Sequence, residues 1–223
     1  MRTELFPNGL KGIIFDCDGV MIDSREANRA FYNQILAHFE MPPMTAKQAT
    51  YAFMTTARQA LEHILPPLLH DQIEHVTTAV ISYRRDIAPL LRLQPGFREF
   101  IDYLHAHNIR MAIATNRVEK GMQTVLDIFA LPNYFNPMIT ASNAKPKPSP
   151  EGVQRICAHW GVLPRDVAFI GDTEYDMAAA RGAGVAFISF ANTDLHADIT
   201  ATDFNSLQQT LASVLQQSAR CQH

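Results

Sequence analysis

The sequence predicts an α/β fold built on a doubly wound, mainly parallel sheet, with an all-helical insertion between its first strand and the rest. Three observations carry this. Four short apolar runs, at residues 12–15, 111–114, 167–170 and 185–188, each stop at or near a small or polar residue. Uninterrupted β-type runs of that length read as strands buried on both faces of a parallel sheet. Helical patterns at 97–108, 118–129, 150–160 and 174–182 alternate with them, and residues 24–92 break the alternation with helical periodicity and no convincing strand.

Taken in order, the first strand, Gly-Ile-Ile-Phe, leads into Asp16. The segment after it repeats apolar residues at helical spacing, in Ala27, Phe31 and Ile35 and again in Leu68, Ile73, Val76 and Val80. Pro42-Pro43, Pro66-Pro67 and Pro89 divide it into separate helices. A structureless loop of that length is improbable inside a compact domain, so residues 23–92 are expected to form a helical cap. Residues 1–22 and 93–223 are then expected to make a Rossmann-like α/β core. Ser149-Pro150-Glu151 reads as N-cap, first helical residue and dipole-favoured acid, and Thr173 with Asp176 as a capping box for the helix at 174–182. Asn116 and Glu119 allow a similar cap. The tail after Ser206 reads as an amphipathic helix that frays near Cys221.

The 223 residues are 47% hydrophobic, enough for a core without disulfides or structural metals. The net charge is −3 and the charges are scattered, which argues against nucleic acid and membrane surfaces as partners. An anionic substrate must then be attracted by a few placed cations or by a metal. Cys17, Cys157 and Cys221 form no CxxC pair, and no run approaches a leader's apolar region or a membrane span. Together these point to a reducing, cytoplasmic setting. The nine histidines contain no pair at zinc-ligand spacing on one helix face, and Cys17 reads as a buried spacer.

In open α/β sheets, ligands gather at the carboxyl ends of the strands. There the first run delivers Asp16, Cys17, Asp18 and Gly19, the second Thr115 and Asn116, and the third Gly171, Asp172 and Thr173, with Asp176 close behind. Carboxylates packed together repel unless a proton or a cation intervenes. An all-oxygen cluster suits Mg²⁺, with Asp16 and Asp172 as its natural side-chain ligands. Thr115 and Asn116 precede a helix, where free N–H groups favour an anion. An aspartate can attack phosphorus covalently, a second carboxylic acid then serves the leaving group and the water, and Asp18 is placed for that role if the chain turns at Gly19. Both Lys145 and Lys147 fit a Lys-Pro-x-Pro pattern, and only one of them can face a phosphate.

The strings DCDGVMIDS, TN, KPKPSPEG and GDTEYDMAAARGAG, in that order across residues 12–184, resemble the four motifs of the haloacid dehalogenase superfamily. More narrowly, they are similar to its branch with a helical cap, the phosphoglycolate phosphatases and β-phosphoglucomutases. The resemblance implies Asp16 as nucleophile and Asp18 as general acid/base. It implies Mg²⁺ held by Asp16, Asp172 and the backbone carbonyl of Asp18, with Asp176 in support. It implies Thr115 and Lys145 on the phosphoryl group, the usual register favouring Lys145 over Lys147. Arg58, in the polar stretch Thr55–Gln59 of the cap, is a candidate substrate contact and equally a solvated arginine at a helix start. The expected function is a phosphatase for a small phosphorylated metabolite, as monomer or homodimer. A phosphomutase of the β-phosphoglucomutase type is the near alternative, and a catalytically silent binding module on the same scaffold is the alternative of another class.

Overall fold

The computed structural model describes residues 5–220, the side chains of residues 216–220 excepted. Six strands form one sheet: β1 (Gly12–Phe15), β4 (Arg110–Ala114), β5 (Phe135–Ile139), β6 (Val167–Gly171), β7 (Ala186–Phe190) and β8 (Ile199–Ala201). Their order is β5-β4-β1-β6-β7-β8, and every neighbouring pair is parallel. The side-chain period of two divides each central strand between two cores. Ile13, Phe15, Met111 and Ile113 pack on one face with helices α5 (Phe97–Ala106), α6 (Glu119–Ile128) and α9 (Phe204–Arg220). Ile14, Ala112, Ala114 and Phe169 pack on the other with α7 (Glu151–Trp160) and α8 (Glu174–Ala183). The chain runs outward from β1 through β4 to β5, then returns to β6 on the other flank of β1. The loops after β1, β4 and β6 therefore open onto one crevice.

The helical insertion enters and leaves through a two-stranded antiparallel stem, β2 (Ile22–Asp23) against β3 (Arg92–Leu93). It holds α1 (Arg25–His38), α2 (Ala46–Met54), α3 (Ala57–Ile64) and the single turn α4 (Ile73–His75). Both α2 and α3 begin with complete capping boxes, Thr45 with Gln48 and Thr56 with Gln59. The helical periodicity of Leu68, Ile73, Val76 and Val80 is met by a succession of tight and wide helical turns rather than by one regular helix. Pro66-Pro67 starts a 3₁₀ turn through Gln72, and Val76–Val80 is wound more loosely, with Ile81 N–H bonding back to the Val76 carbonyl. The cause is local: the hydroxyls of Thr77 and Thr78 bond to the carbonyls of Ile73 and Glu74 and compete with the backbone ladder.

Two strands of the six-stranded sheet have no counterpart in the sequence pattern, and both lie at its edges; the short stem strands β2 and β3 have none either. β5 carries Pro137 inside it, and β8 has only three residues, one of them an exposed threonine. Helix α7 begins at Glu151, one residue later than expected, with the Ser149 hydroxyl still accepting from the Glu151 N–H. The expected fraying near Cys221 lies outside the described residues.

Phe15 holds β1 in place by edge-on contacts with Phe97, Phe100 and Phe135, and it is fully buried. Phe15→Ala should lower unfolding free energy in a urea titration by about 3–5 kcal/mol, the usual cost of emptying such a site. A loss under about 1 kcal/mol would show that the aromatic cluster does not anchor the strand.

Candidate active site

The loop after β1 is shaped by its backbone. Met21 N–H and Ile22 N–H both bond to the Cys17 carbonyl, and Gly19 N–H bonds to the Ile22 carbonyl. Gly19 sits at φ +83°, and a Cβ there would lie 2.2 Å from Asp172 Oδ2, so this turn can close over Asp172 only without a side chain. The turn aims the carboxylates of Asp16 and Asp18 into the crevice. Both Asp16 and Asp18 line a cavity of about 690 Å³ between the core and the helical insertion.

Lys147 is the cation at its base. Its Nζ lies 2.6 Å from Asp16 Oδ1 and 2.6 Å from Asp176 Oδ1, and the side chain is buried. The sequence favoured Lys145, and the structure corrects that: Lys145 is exposed and Lys147 faces the carboxylates. The segment is not extended but turned, with Ser149 N–H bonding to the Pro146 carbonyl. Asn116 fixes the register, its Oδ1 accepting from Lys147 N–H at 2.8 Å and its Nδ2 donating to the Lys147 carbonyl at 3.0 Å. That amide also donates to the Met54 carbonyl of the insertion. Asn116 is therefore neither a free anion donor nor a helix cap. It positions the lysine, and Ser142 Oγ accepts from the Glu119 N–H instead.

Thr115 stands at the end of β4, buried, with its hydroxyl accepting from the Arg117 N–H. Arg117 escaped the sequence reading, although it directly follows Thr115-Asn116. Its Nε and Nη2 each lie 2.7 Å from an oxygen of Asp18, and Nη1 donates to the Tyr83 hydroxyl at 2.7 Å. Ser24 Oγ also donates to Asp18. Burial works to raise the Asp18 pKa, but the guanidinium and the Ser24 bond outweigh it and hold the carboxyl below its usual range. Arg58 lines the cavity wall while its Nε is paired with Glu62 at 2.8 Å.

Asp176 has both oxygens engaged, one by Lys147 and the other by Thr173 N–H and Oγ1 in the expected capping box. It balances the lysine. Asp172 is different: one oxygen meets Arg25 of α1 at 3.0 Å, and the other, Oδ1, is buried without a partner. Burial pushes the Asp172 carboxyl up to about 8, with Asp176 and Asp16 adding and Arg25 and Lys147 opposing. Burial likewise pushes Asp16 up to about 7 against the pull of Lys147. Oxygens of Asp16, Asp172 and Asp176 lie within 4.8 Å of one another. A cluster short of positive charge, all oxygen, with an orphaned buried acceptor, fits a hard divalent cation such as Mg²⁺. Asp16 and Asp172 are the side chains free enough to hold it, whereas the side chain of Asp18 belongs to Arg117.

These raised values set a pH dependence. A carboxyl that holds its proton more tightly folded than unfolded stabilises the fold below its unfolded value near 3.8, and that stability is lost as pH rises through about 8 for Asp172. Without divalent metal, Tm should therefore fall between about pH 5 and pH 8 by scanning calorimetry. Mg²⁺ or Asp172→Asn should flatten the slope, and an equal slope in all three samples would contradict the assignment.

Residues 13–190 match the family described as haloacid dehalogenase-like hydrolase. Phosphoglycolate phosphatase 1 of Pseudomonas aeruginosa is 29% identical over 180 residues, 78% of this chain and 66% of that protein. The phosphoglycolate phosphatase of Cereibacter sphaeroides is 27% identical over 196 residues, covering 85% and 89%. Among solved structures, a subfamily IA hydrolase of that superfamily from Geobacter sulfurreducens superposes with TM-score 0.72 at 33% identity, over 91% of this chain and 96% of the other. CbbY from Rhodobacter sphaeroides shares the fold at TM-score 0.73 and 21% identity, over 89% and 96%. Four ordered motifs converging on one crevice, and a match over most of the chain, lead to one conclusion: this protein belongs to the haloacid dehalogenase-like hydrolases.

Proposed function

We propose that this protein is a Mg²⁺-dependent phosphatase that hydrolyses a small phosphorylated metabolite through an aspartyl-phosphate on Asp16. The observation that carries the reading is Asp16 itself, buried at the end of β1, facing a cavity and held by Lys147. When bound at Asp16 and Asp172, Mg²⁺ would neutralise phosphate charge. A carboxylate oxygen of Asp16 attacks phosphorus, and the bond from phosphorus to the ester oxygen breaks. Asp18, once protonated and released from Arg117, gives its proton to that oxygen, so an alcohol leaves. Water then attacks the phosphorus of the aspartyl-phosphate, Asp18 takes its proton, and phosphate departs with Asp16 restored. Lys147 stays charged throughout, because Asp16 and Asp176 both favour its protonated form against the effect of burial. Thr115 at the end of β4 is placed to donate to the phosphoryl oxygens.

The cap is assigned to residues 23–92 and the core to residues 1–22 and 93–223, with the β2–β3 stem as the hinge that closes the cavity against water. Phosphoglycolate, named in the relatives, is the first substrate to try, and it fits a cavity of about 690 Å³. Cytoplasmic residence belongs to this reading and is supported by the free, buried Cys17 and Cys157. No helix of the described residues is long and apolar enough to cross a membrane.

A panel of phosphorylated metabolites with purified protein and Mg²⁺ tests the reading. Asp16→Asn should lower kcat about a thousandfold or more; undiminished turnover would refute the mechanism, and a wild-type protein that hydrolyses no member of the panel would favour a silent scaffold. Asp18→Asn should cost about a hundred- to ten-thousandfold in kcat, the range for loss of a general acid. The two lysines separate cleanly. Lys147→Met should abolish turnover and Lys145→Met should leave kcat within about threefold of wild type, since only Lys147 touches Asp16. The reverse pattern would restore Lys145 to the site.

A further inference from the structure

We propose that Arg117 determines specificity: its guanidinium takes up a second anionic group of the substrate, a carboxylate or a second phosphate, and in doing so surrenders Asp18 to the leaving group. This rests on the phosphatase reading above and adds to it the class of substrate and the residue that selects it.

The first observation is an occupied acid. Both oxygens of Asp18 accept from the Arg117 fork, and Ser24 donates to one of them as well. A carboxyl group clamped across both oxygens by a guanidinium fork is not free to turn a protonated oxygen toward a departing alkoxide, so the pair must open before Asp18 can work. Opening it strands a guanidinium whose side chain is only 15% exposed, with the neutral Tyr83 hydroxyl as its remaining partner. A buried cation left without an anion is strongly unfavourable, so the exchange proceeds when another anion replaces Asp18. The planar fork matches carboxylate and phosphate in bidentate geometry, and the Tyr83 bond to Nη1 keeps it aimed while the partner changes.

The second observation is the cavity wall. Around a space much larger than one phosphoryl group, Arg58, Arg84, Arg117, Lys120 and Lys147 face three carboxylates, Asp16, Asp18 and Glu74. Among the described residues neither Arg84 nor Lys120 has an ion-pair partner, although the chain as a whole carries a charge of −3. Lys147 and Asp16 account for the transferred phosphoryl group. Arg84 and Lys120, exposed and without an ion-pair partner among the described residues, leave this wall with positive charge that attracts a substrate carrying a second negative group.

The test compares kcat/KM for three probes: phenyl phosphate, which has no second anion; 2-phosphoglycolate, which has a carboxylate; and glucose 1,6-bisphosphate, which has a second phosphate. In Arg117→Gln, the ratio of 2-phosphoglycolate or of bisphosphate to phenyl phosphate should fall about 30-fold or more, as expected when a site built to bond a polar group loses its partner. A fall confined to the first ratio assigns a carboxylate, and a fall confined to the second assigns a phosphate. Arg117→Lys keeps the charge without the fork and should give an intermediate fall, carried mainly by KM; it also serves if the glutamine variant does not fold. Ratios unchanged within about threefold in both variants overturn the proposal. A wild-type protein that hydrolyses neither these probes nor any member of the metabolite panel overturns the phosphatase reading instead. Asp16-dependent turnover with unchanged ratios sinks only the role of Arg117.

Discussion

The site depends on one ammonium group. Lys147 Nζ sits between Asp16 and Asp176, with all three side chains buried, and the face of Phe169 lies 5.5 Å away. Two carboxylates brought that close would repel, and burial would neutralise at least one of them. The lysine allows Asp16 to approach its neighbours while leaving an oxygen for chemistry. Asp176 in turn anchors α8 through its capping box, so the charge balance of the site and the start of that helix are a single feature. Asn116 completes it from the far side by fixing both backbone groups of Lys147. What the lysine does not balance is Asp172, whose free oxygen and raised pKa mark the place for a divalent cation.

Much of this was legible in the sequence because it obeys short-range rules. The three central strands are uninterrupted apolar runs, and the crevice receives the residues at the carboxyl end of each run. Asp16, Thr115 and Asp172 could therefore be placed without coordinates, as could the capping box of Thr173 and Asp176. The choice of lysine was not legible, because it depends on a turn at Pro146–Ser149 fixed by an amide 31 residues away. Asn116 misled for the same reason: its position before a helix suggests a cap, while its partners lie on other loops. Arg117 left only the faint signal of its place directly after Thr115-Asn116, since pairing with Asp18 across 99 residues has no local signature. The edge strands β5 and β8, short or interrupted by proline, lack the pattern that buried strands must have.

The helical insertion is tied to the chemistry at more points than its stem. Ser24 and Tyr83, near its two ends, reach Asp18 directly and through Arg117. Arg25 of α1 reaches Asp172 and stacks its guanidinium 4.3 Å over Phe53 of α2. The Met54 carbonyl accepts from Asn116. Motion of the insertion about the β2–β3 stem would therefore alter the partners of the acid, of the metal-site carboxylate and of the amide that holds Lys147. On the proposed mechanism, closure over a substrate and readiness of the catalytic groups would be the same event.

The proposed mechanism stands on a covalent bond from Asp16 to phosphorus. Acid quenching during turnover, with proteolysis and mass spectrometry of the phosphorylated peptide, reads that bond directly. The mechanism predicts an acid-stable, hydroxylamine-sensitive phosphoryl group on Asp16 that disappears on a chase with unlabelled substrate. Turnover of an aryl phosphate, whose leaving group needs no acid, that accumulates no phosphoryl group on the protein even when the second step is slowed in Asp18→Asn, or that places it on another residue, would contradict it.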